Sequence, residues 1–329
     1  MKALVFDRFG PPEDVLQVRD VPQPVPARGE VLVRMLASPI NPSDVMYVQG
    51  RYGLKPELPA TPGFEGVGVV EASGGGILGW LRKGKRVAVI NDRVGNWGEY
   101  TVTKARQVIP VPDDIPDEQA ATFFVNPATA VAMTRKVLAV PPGEWLLQNA
   151  AASALGKMVI RLGKKYGFKT LNVVRRREAA VELKALGADE VLVESDGPID
   201  EQVKSRGLAV KYAIDPVGGA SGSQLVAALG EGGRCLVFGS LADEPVSVSP
   251  RNLIGLGVSV EGFWLGTWAK KQSIPTLLRL FRSVRRLMRE GTLTTDVAAT
   301  YTLDQIADAA RLATAPGKGG KVLLRIGAG

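Results

Sequence analysis

The sequence predicts an α/β chain in two parts. A small β-rich domain runs to residue 116 and is completed by residues 292–329; between them, residues 117–291 form a doubly wound parallel sheet. Three observations carry this. Short strand-like runs broken by proline and glycine fill the first 115 or so residues, with no long helix between them. After Pro116 helix and strand patterns alternate, the rhythm of βαβ units covered by helices on both faces. The last segment returns to the early style.

In the first part, Met1–Phe6, Val31–Leu36, Val67–Glu71 and Arg86–Ile90 read as strands. Pro22, Pro24, Pro26, Pro59, Pro62, Gly63 and Gly74-Gly75-Gly76 punctuate them. In the second part, Trp145–Asn149 is a short buried strand, and Leu155, Met158, Val159, Leu162 and Tyr166 then recur at helical spacing. Thr170–Val174 is the next strand, and a helix from Glu178 ends near Gly187, a cap glycine. Strands follow at Glu190–Val193, Val210–Asp215 and Arg234–Phe238. The return segment has a strand at Val297–Tyr301, a helix from Leu303 and a strand at Lys321–Ile326.

The chain of 329 residues has no histidine and one cysteine, Cys235. Histidine and cysteine are the usual zinc ligands, and histidine is the usual general base near neutral pH. Zinc-alkoxide chemistry and Ser/His or Cys/His dyads are therefore excluded, and no metal is expected. A cofactor must carry the chemistry, assisted by Tyr, Lys, Asp, Glu, Ser or Thr. Cys235, inside an apolar strand, reads as inert core.

With 45% hydrophobic and 22% charged residues the composition is that of a globular protein. No apolar run is long enough to span a membrane. The N-terminal run reads as a strand rather than a signal or transit peptide, and one cysteine gives no internal disulfide, so a cytoplasmic location is expected. The net charge of +8 favours anionic partners. Nucleic acid is not expected, because no recognised module accompanies the charge. Arg279, Arg282, Arg285, Arg286 and Arg289 read as the solvated face of a long helix.

Asn149–Gly156 is a turn of small residues between a strand and a helix, where backbone can approach a pyrophosphate and the helix N-terminus offers free N–H groups. It is not G-x-G-x-x-G, and only Gly156 of that pattern remains. The next strand ends at Val174, where a dinucleotide fold meets the adenosine ribose. Arg175, Arg176 and Arg177 stand there in place of an acid, which predicts NADPH over NADH. A solvated basic loop is the bland alternative.

These features, with Ile40–Asp44, Gly50–Gly53, Pro62–Gly66, Val125–Ala130, Gln148–Ala150, Asn172–Arg175, Phe263–Leu265 and Trp268, run from end to end of the chain. Together they resemble the zinc-free branch of the medium-chain dehydrogenase/reductases, and within it the NADPH-dependent 2-enoyl thioester reductases. The resemblance implies a GroES-like catalytic domain, a Rossmann NADPH-binding domain, a cleft between them and a homodimer joined near Val258–Phe263. It implies hydride delivery to Cβ of an enoyl-CoA or enoyl-acyl-carrier-protein thioester and a proton to Cα, with an acidic acyl carrier protein as one candidate partner.

Carried over by position, Tyr52 matches the catalytic tyrosine. A tyrosine suits the role because an ordinary phenol pKa of about 10 leaves it a donor at neutral pH. A packing tyrosine on a surface loop is the alternative, and Tyr47 the nearby competitor. The resemblance gives NADPH contacts to Asn126, Thr129, Ala152, Ser153, Ala154, Leu155, Arg175, Arg176 and Arg177. It gives further ones to Phe238, Gly239, Ser240, Leu241, Phe263, Trp264, Leu265, Gly266 and Lys321. Substrate contacts fall on Asn41, Trp264 and Trp268; the two tryptophans, four apart, could instead stack as core on one helix face. Three departures stand out. Ala154 replaces a glycine in the pyrophosphate turn, Arg176 replaces an acid, and Val131 replaces an aromatic. The rival activities are an NADPH:quinone or enone reductase of the same branch and a non-catalytic NADPH-binding protein.

Overall fold

In the computed structural model, residues 1–91 and 94–327 are described. The chain forms two compact units, Met1–Val125 with Thr294–Gly329, and Asn126–Leu293. The last two residues of the C-terminal segment expected to complete the first domain, 328 and 329, lie outside the described residues.

The first unit opens with an antiparallel pair, β1 (Lys2–Val5) and β2 (Gln17–Asp20). Its main sheet uses β3 (Glu30–Pro39), β4 (Glu65–Ser73), β5 (Arg86–Ile90), β6 (Tyr100–Lys104) and β7 (Val108–Pro110). Valines and Met35 at alternate positions of β3 are fully buried and pack with Val70, Val87 and Val89, the period-2 pattern of a half-buried sheet. A helix at Asp117–Ala121 contacts β3, β4 and β5. The first unit therefore runs past the boundary expected at residue 116.

The second unit contains β8 (Trp145–Gln148), β9 (Lys169–Val174), β10 (Glu190–Val193), β11 (Val210–Asp215), β12 (Arg234–Val237) and β13 (Ser259–Gly262). They pair in the order β10-β9-β8-β11-β12-β13, all parallel. The helix Ala154–Tyr166 joins β8 to β9, and the helix Arg177–Leu186 joins β9 to β10 and ends at Gly187 in the left-handed region. Leu147, Leu171, Val173, Leu192, Ala213 and Cys235 fill the core beneath one face. In the long helix Ile274–Arg289, Leu280, Val284, Leu287 and Met288 are buried; Arg279, Arg282, Arg286 and Arg289 are exposed and Arg285 is half-buried. No helix among the described residues is long and apolar enough to cross a membrane.

The chain returns to the first unit through β14 (Val297–Thr302) and β15 (Lys321–Arg325), which complete the order β14-β15-β3-β4-β5-β7, with β6 paired to β3. β15 runs antiparallel to β3 with Leu323 opposite Pro39, so Lys321 arrives beside the residues that follow β3.

Candidate active site

Asn41 and Pro42 start the helix Pro42–Val48, with proline at the first helical position, where its missing N–H costs nothing. The Asp44 carboxylate reaches back to accept the Asn41 N–H at 2.8 Å with one oxygen, and accepts the Phe64 N–H at 2.9 Å with the other. Glu65, the first residue of β4, is the hub of the group. One of its oxygens accepts from the Asn41 carboxamide at 2.9 Å; the other accepts the N–H groups of Phe124 (3.2 Å) and Val125 (2.8 Å). The Lys321 ammonium donates to the Asn41 carboxamide oxygen at 2.6 Å.

All four side chains are buried. Burial dominates the titration of the three ionisable ones, Asp44, Glu65 and Lys321. It pushes Asp44 up to about 7, against the two N–H donors that favour its ionised form. It pushes Glu65 up, opposed by the Val125 and Asn41 hydrogen bonds. It pulls Lys321 down, opposed by the charges of Glu65 and Asp44. Asn41 and Lys321, both expected to meet ligand, are engaged with one another here: both ends of the Asn41 carboxamide have partners, and the Lys321 ammonium donates to its oxygen. Asp44 and Glu65 were given no role from the sequence. Their signals were an acid three residues after a helix N-cap and an acid beside Gly66 at the start of a strand.

The loop that carries Tyr52 leaves the same helix. The Tyr52 N–H donates to the Met46 carbonyl at 3.2 Å, and the half-buried ring lies against Phe64 with centroids 5.1 Å apart. Tyr47 packs edge-on against the same Phe64 ring at 5.1 Å and against Phe6 at 6.0 Å, and is buried in the core. Phe64 therefore stands between the two tyrosines. Its main chain is held by Asp44 and its ring is the surface on which Tyr52 rests.

In the second unit the turn residues follow the carboxyl ends of parallel strands, the edge at which such sheets bind ligands. After β8, Ala150 adopts φ 46° and Ser153 caps the helix Ala154–Tyr166 by accepting the Gly156 N–H at 3.1 Å. A Cβ on Gly156 would meet the Ala151 carbonyl oxygen at 2.4 Å, so only glycine lets this helix close on the turn. After β12, a Cβ on Gly239 would meet the Pro216 carbonyl oxygen at 2.5 Å. The Asn149 carboxamide donates to Asp215 at 2.7 Å and to Ser221 at 3.2 Å, while its buried oxygen has no partner among the described residues. Arg175 and Arg176 are exposed at the end of β9. Arg177 begins the following helix and is paired with Asp196. A helix N-terminus, a tight small-residue turn and two exposed arginines fit an anionic dinucleotide.

The remaining candidates are placed as follows. Ala152 and Ala154 are half-buried, Ser153 is exposed and Leu155 buried in the turn and first helical residues. Asn126 and Thr129 lie on the helix Val125–Ala132, half-buried and buried respectively. Phe238 and Gly239 are half-buried and Ser240 and Leu241 exposed after β12. Phe263 and Leu265 are buried; Gly266 is exposed. Trp264 precedes the helix Leu265–Lys270 and is 46% exposed. The Trp268 ring approaches Phe263, at 6.3 Å.

The family pattern described as "Alcohol dehydrogenase GroES-like domain" matches residues 27–113, and that described as "Zinc-binding dehydrogenase" matches residues 154–283. Over 300 residues the chain is 38% identical to the mitochondrial enoyl-acyl-carrier-protein reductase of Rattus norvegicus, covering 89% of this chain and 80% of that one. The chain belongs to the medium-chain dehydrogenase/reductase family. Among solved structures, this medium-chain reductase superposes on a putative NADPH:quinone reductase from Bacillus thuringiensis with a TM-score of 0.90 and 34% identity, over 98% of both chains. It also superposes on Etr1p, a mitochondrial 2-enoyl thioester reductase of Candida tropicalis, in a complex with NADP and crotonyl-CoA. There the TM-score is 0.82 and the identity 27%, over 98% of this chain and 99% of that one.

Zinc, which one family description names, does not fit this reductase. The chain has no histidine. Its one cysteine is buried in β12, where burial pushes the thiol up to about 12. Among the described residues no three His, Cys, Asp or Glu side chains gather into a group that could hold a metal ion.

Proposed function

We propose that this chain is an NADPH-dependent reductase of trans-2-enoyl thioesters, carried on coenzyme A or on an acyl carrier protein. The observation that carries the reading is the likeness to enoyl-acyl-carrier-protein reductases, 38% identical along 89% of the chain. Tyr52 on its exposed loop beside Phe64 agrees with it. NADPH when bound supplies the hydride that goes to Cβ. Arg175 and Arg176 hold its ribose phosphate; the Asn149–Gly156 turn and the helix after it hold its pyrophosphate. Charge then develops on the thioester oxygen and Cα needs a proton. The Tyr52 hydroxyl meets one of these needs, as hydrogen-bond donor to the developing enolate oxygen or as the source of the proton for Cα, because a phenol is ordinarily protonated at neutral pH. The Asn41, Asp44, Glu65 and Lys321 network fixes the backbone from which Tyr52 and Phe64 project.

A second reading, reduction of quinones, is favoured by the likeness to putative NADPH:quinone reductases. Loss of NADPH absorbance with crotonyl-CoA, with a quinone and with neither separates the two. Turnover of crotonyl-CoA well above the quinone supports the first; turnover of the quinone alone overturns it. The same reading makes the protein a homodimer. β13 is an edge strand of its sheet, with exposed Leu253, Ile254 and Leu256 close in sequence. Sedimentation giving a strict monomer at micromolar concentration would reject that arrangement.

A further inference from the structure

The far end of the first unit carries an apolar tip. The helix Ile77–Arg82 follows Gly74-Gly75-Gly76 and exposes Ile77 to 82%, Trp80 to 73% and Leu81 to 51%. The loop before β3 lies against it. Gly29 N–H donates to the Gly75 carbonyl, and Gly74 N–H donates to the Glu30 carbonyl, each at 3.1 Å. That loop exposes Val25 to 86%. The tip is ringed by cations. Arg28, Lys83 and Lys85 are exposed beside it, and the Ala105 N–H bonded to the Gly29 carbonyl brings exposed Arg106 to the same end. The nearest acids are engaged: Glu30 accepts the Ala27 N–H, and Glu71 is paired with Arg34 at 2.8 Å.

Singly exposed apolar residues are ordinary, but an isoleucine and a tryptophan standing out on one turn beside leucines and a valine form a patch. We infer that this tip docks on an anionic lipid bilayer. The charge pattern selects that occupant. A short apolar segment with an indole and flanking lysines and arginines matches the headgroup region, where tryptophan sits at the interface and basic side chains meet anionic lipid. A second copy of the chain would bring the same cations face to face and is disfavoured by their repulsion. Docking leaves the candidate site free. Glu65 lies at one end of β4 and the tip at the other, and nine extended residues separate them by roughly 26 Å. An acyl carrier protein seated on the tip would be badly placed to deliver a thioester to Tyr52.

The test is co-sedimentation of the full chain with vesicles of phosphatidylcholine alone and of phosphatidylcholine mixed with phosphatidylserine. Binding is expected to the mixed vesicles only and to weaken with salt. Trp80→Glu or Ile77→Glu should abolish it. Lys83→Glu with Lys85→Glu should weaken it by tenfold or more, on the order of the attraction of one basic residue for an anionic surface taken twice. Unchanged thermal midpoints keep the variants interpretable, because all four side chains face solvent. Absence of binding to mixed vesicles overturns the inference. So does equal binding to both vesicle types. Self-association, or capture of an acidic carrier protein, that Trp80→Glu abolishes while vesicles do not bind would assign the tip to a protein partner instead.

Discussion

Replacing Glu65 by glutamine tests whether the buried network sets the stability of the first unit. The carboxylate accepts three hydrogen bonds, one from the Asn41 carboxamide and two from the Phe124 and Val125 N–H groups. Glutamine offers one acceptor and one donor in their place. With its oxygen toward the two backbone donors, its NH2 faces the NH2 of Asn41. Asn41 has no remedy by rotating its own amide, because its oxygen is held by the Lys321 ammonium at 2.6 Å. At least one hydrogen bond to a charged acceptor is lost, about 1.5–3 kcal/mol. The buried Lys321 ammonium also loses a nearby counter-charge, which adds to the cost. Relief of the burial that pushes the Glu65 pKa up works the other way and keeps the net effect near that range. For a unit of this size the loss lowers the thermal midpoint by about 3–12 °C. Differential scanning calorimetry on Glu65→Gln and on wild type measures it. An unchanged midpoint would refute the reasoning that these bonds outweigh the desolvation of the carboxylate.

Further outcomes follow from the same geometry. Tyr52→Phe keeps the ring on Phe64 and should lower kcat on crotonyl-CoA by about 10²–10³-fold with little change in KM. Tyr47→Phe, altered in the core, should leave kcat alone, and equal kcat in wild type and Tyr52→Phe removes Tyr52 from the chemistry. Arg175→Ala should weaken NADPH binding by about 1.5–3 kcal/mol and NADH binding little, read by fluorescence titration. Gly156→Ala must displace the Ala151 carbonyl and should cost about 1–3 kcal/mol in denaturant unfolding, with weaker NADPH binding. Asp44 carries a raised pKa in the fold, about 7 against an ordinary 3.8, so the folded state holds the proton over that interval. Its contribution to stability is full below about pH 4 and is lost as the pH rises through about 7; urea midpoints across this range should fall, and less so in Asp44→Ser.

The fold was legible where periodicity is strong. The strands Arg86–Ile90, Glu190–Val193 and Val210–Asp215 stand where the alternation of apolar runs and turns put them, and the βαβ rhythm gave a parallel sheet. Of the helix Pro42–Val48 only Met46–Val48 reads as core or helix, and Ile77–Arg82 is not legible, because two turns or fewer carry no readable period amid glycine and proline. The candidate network was legible only in fragments. Lys321 and Asn41 are 280 residues apart and meet because β15 runs antiparallel to β3 in a fixed register, which no local pattern encodes. Arg177 shows the same limit. The helix starts at the third of three consecutive arginines, and that residue pairs with Asp196, a partner 19 residues on that no local pattern encodes.

In a chain without histidine, a group that titrates near neutrality invites a catalytic role, and Asp44 at about 7 is such a group. Geometry argues against it. Each of its oxygens already accepts a backbone N–H, from Asn41 and from Phe64, and the side chain is buried. Its raised pKa records the cost of enclosing a carboxylate, and what that cost sustains is the position of Phe64. Tyr52 has the opposite profile: a half-buried ring, a loop main chain tied to Met46, and a phenol that needs no special environment to stay a donor at neutral pH. The proton donor is therefore better sought in the residue whose hydroxyl belongs to the loop than in a buried acid whose pKa enclosure has raised. The acid contributes by holding the surface on which the tyrosine rests.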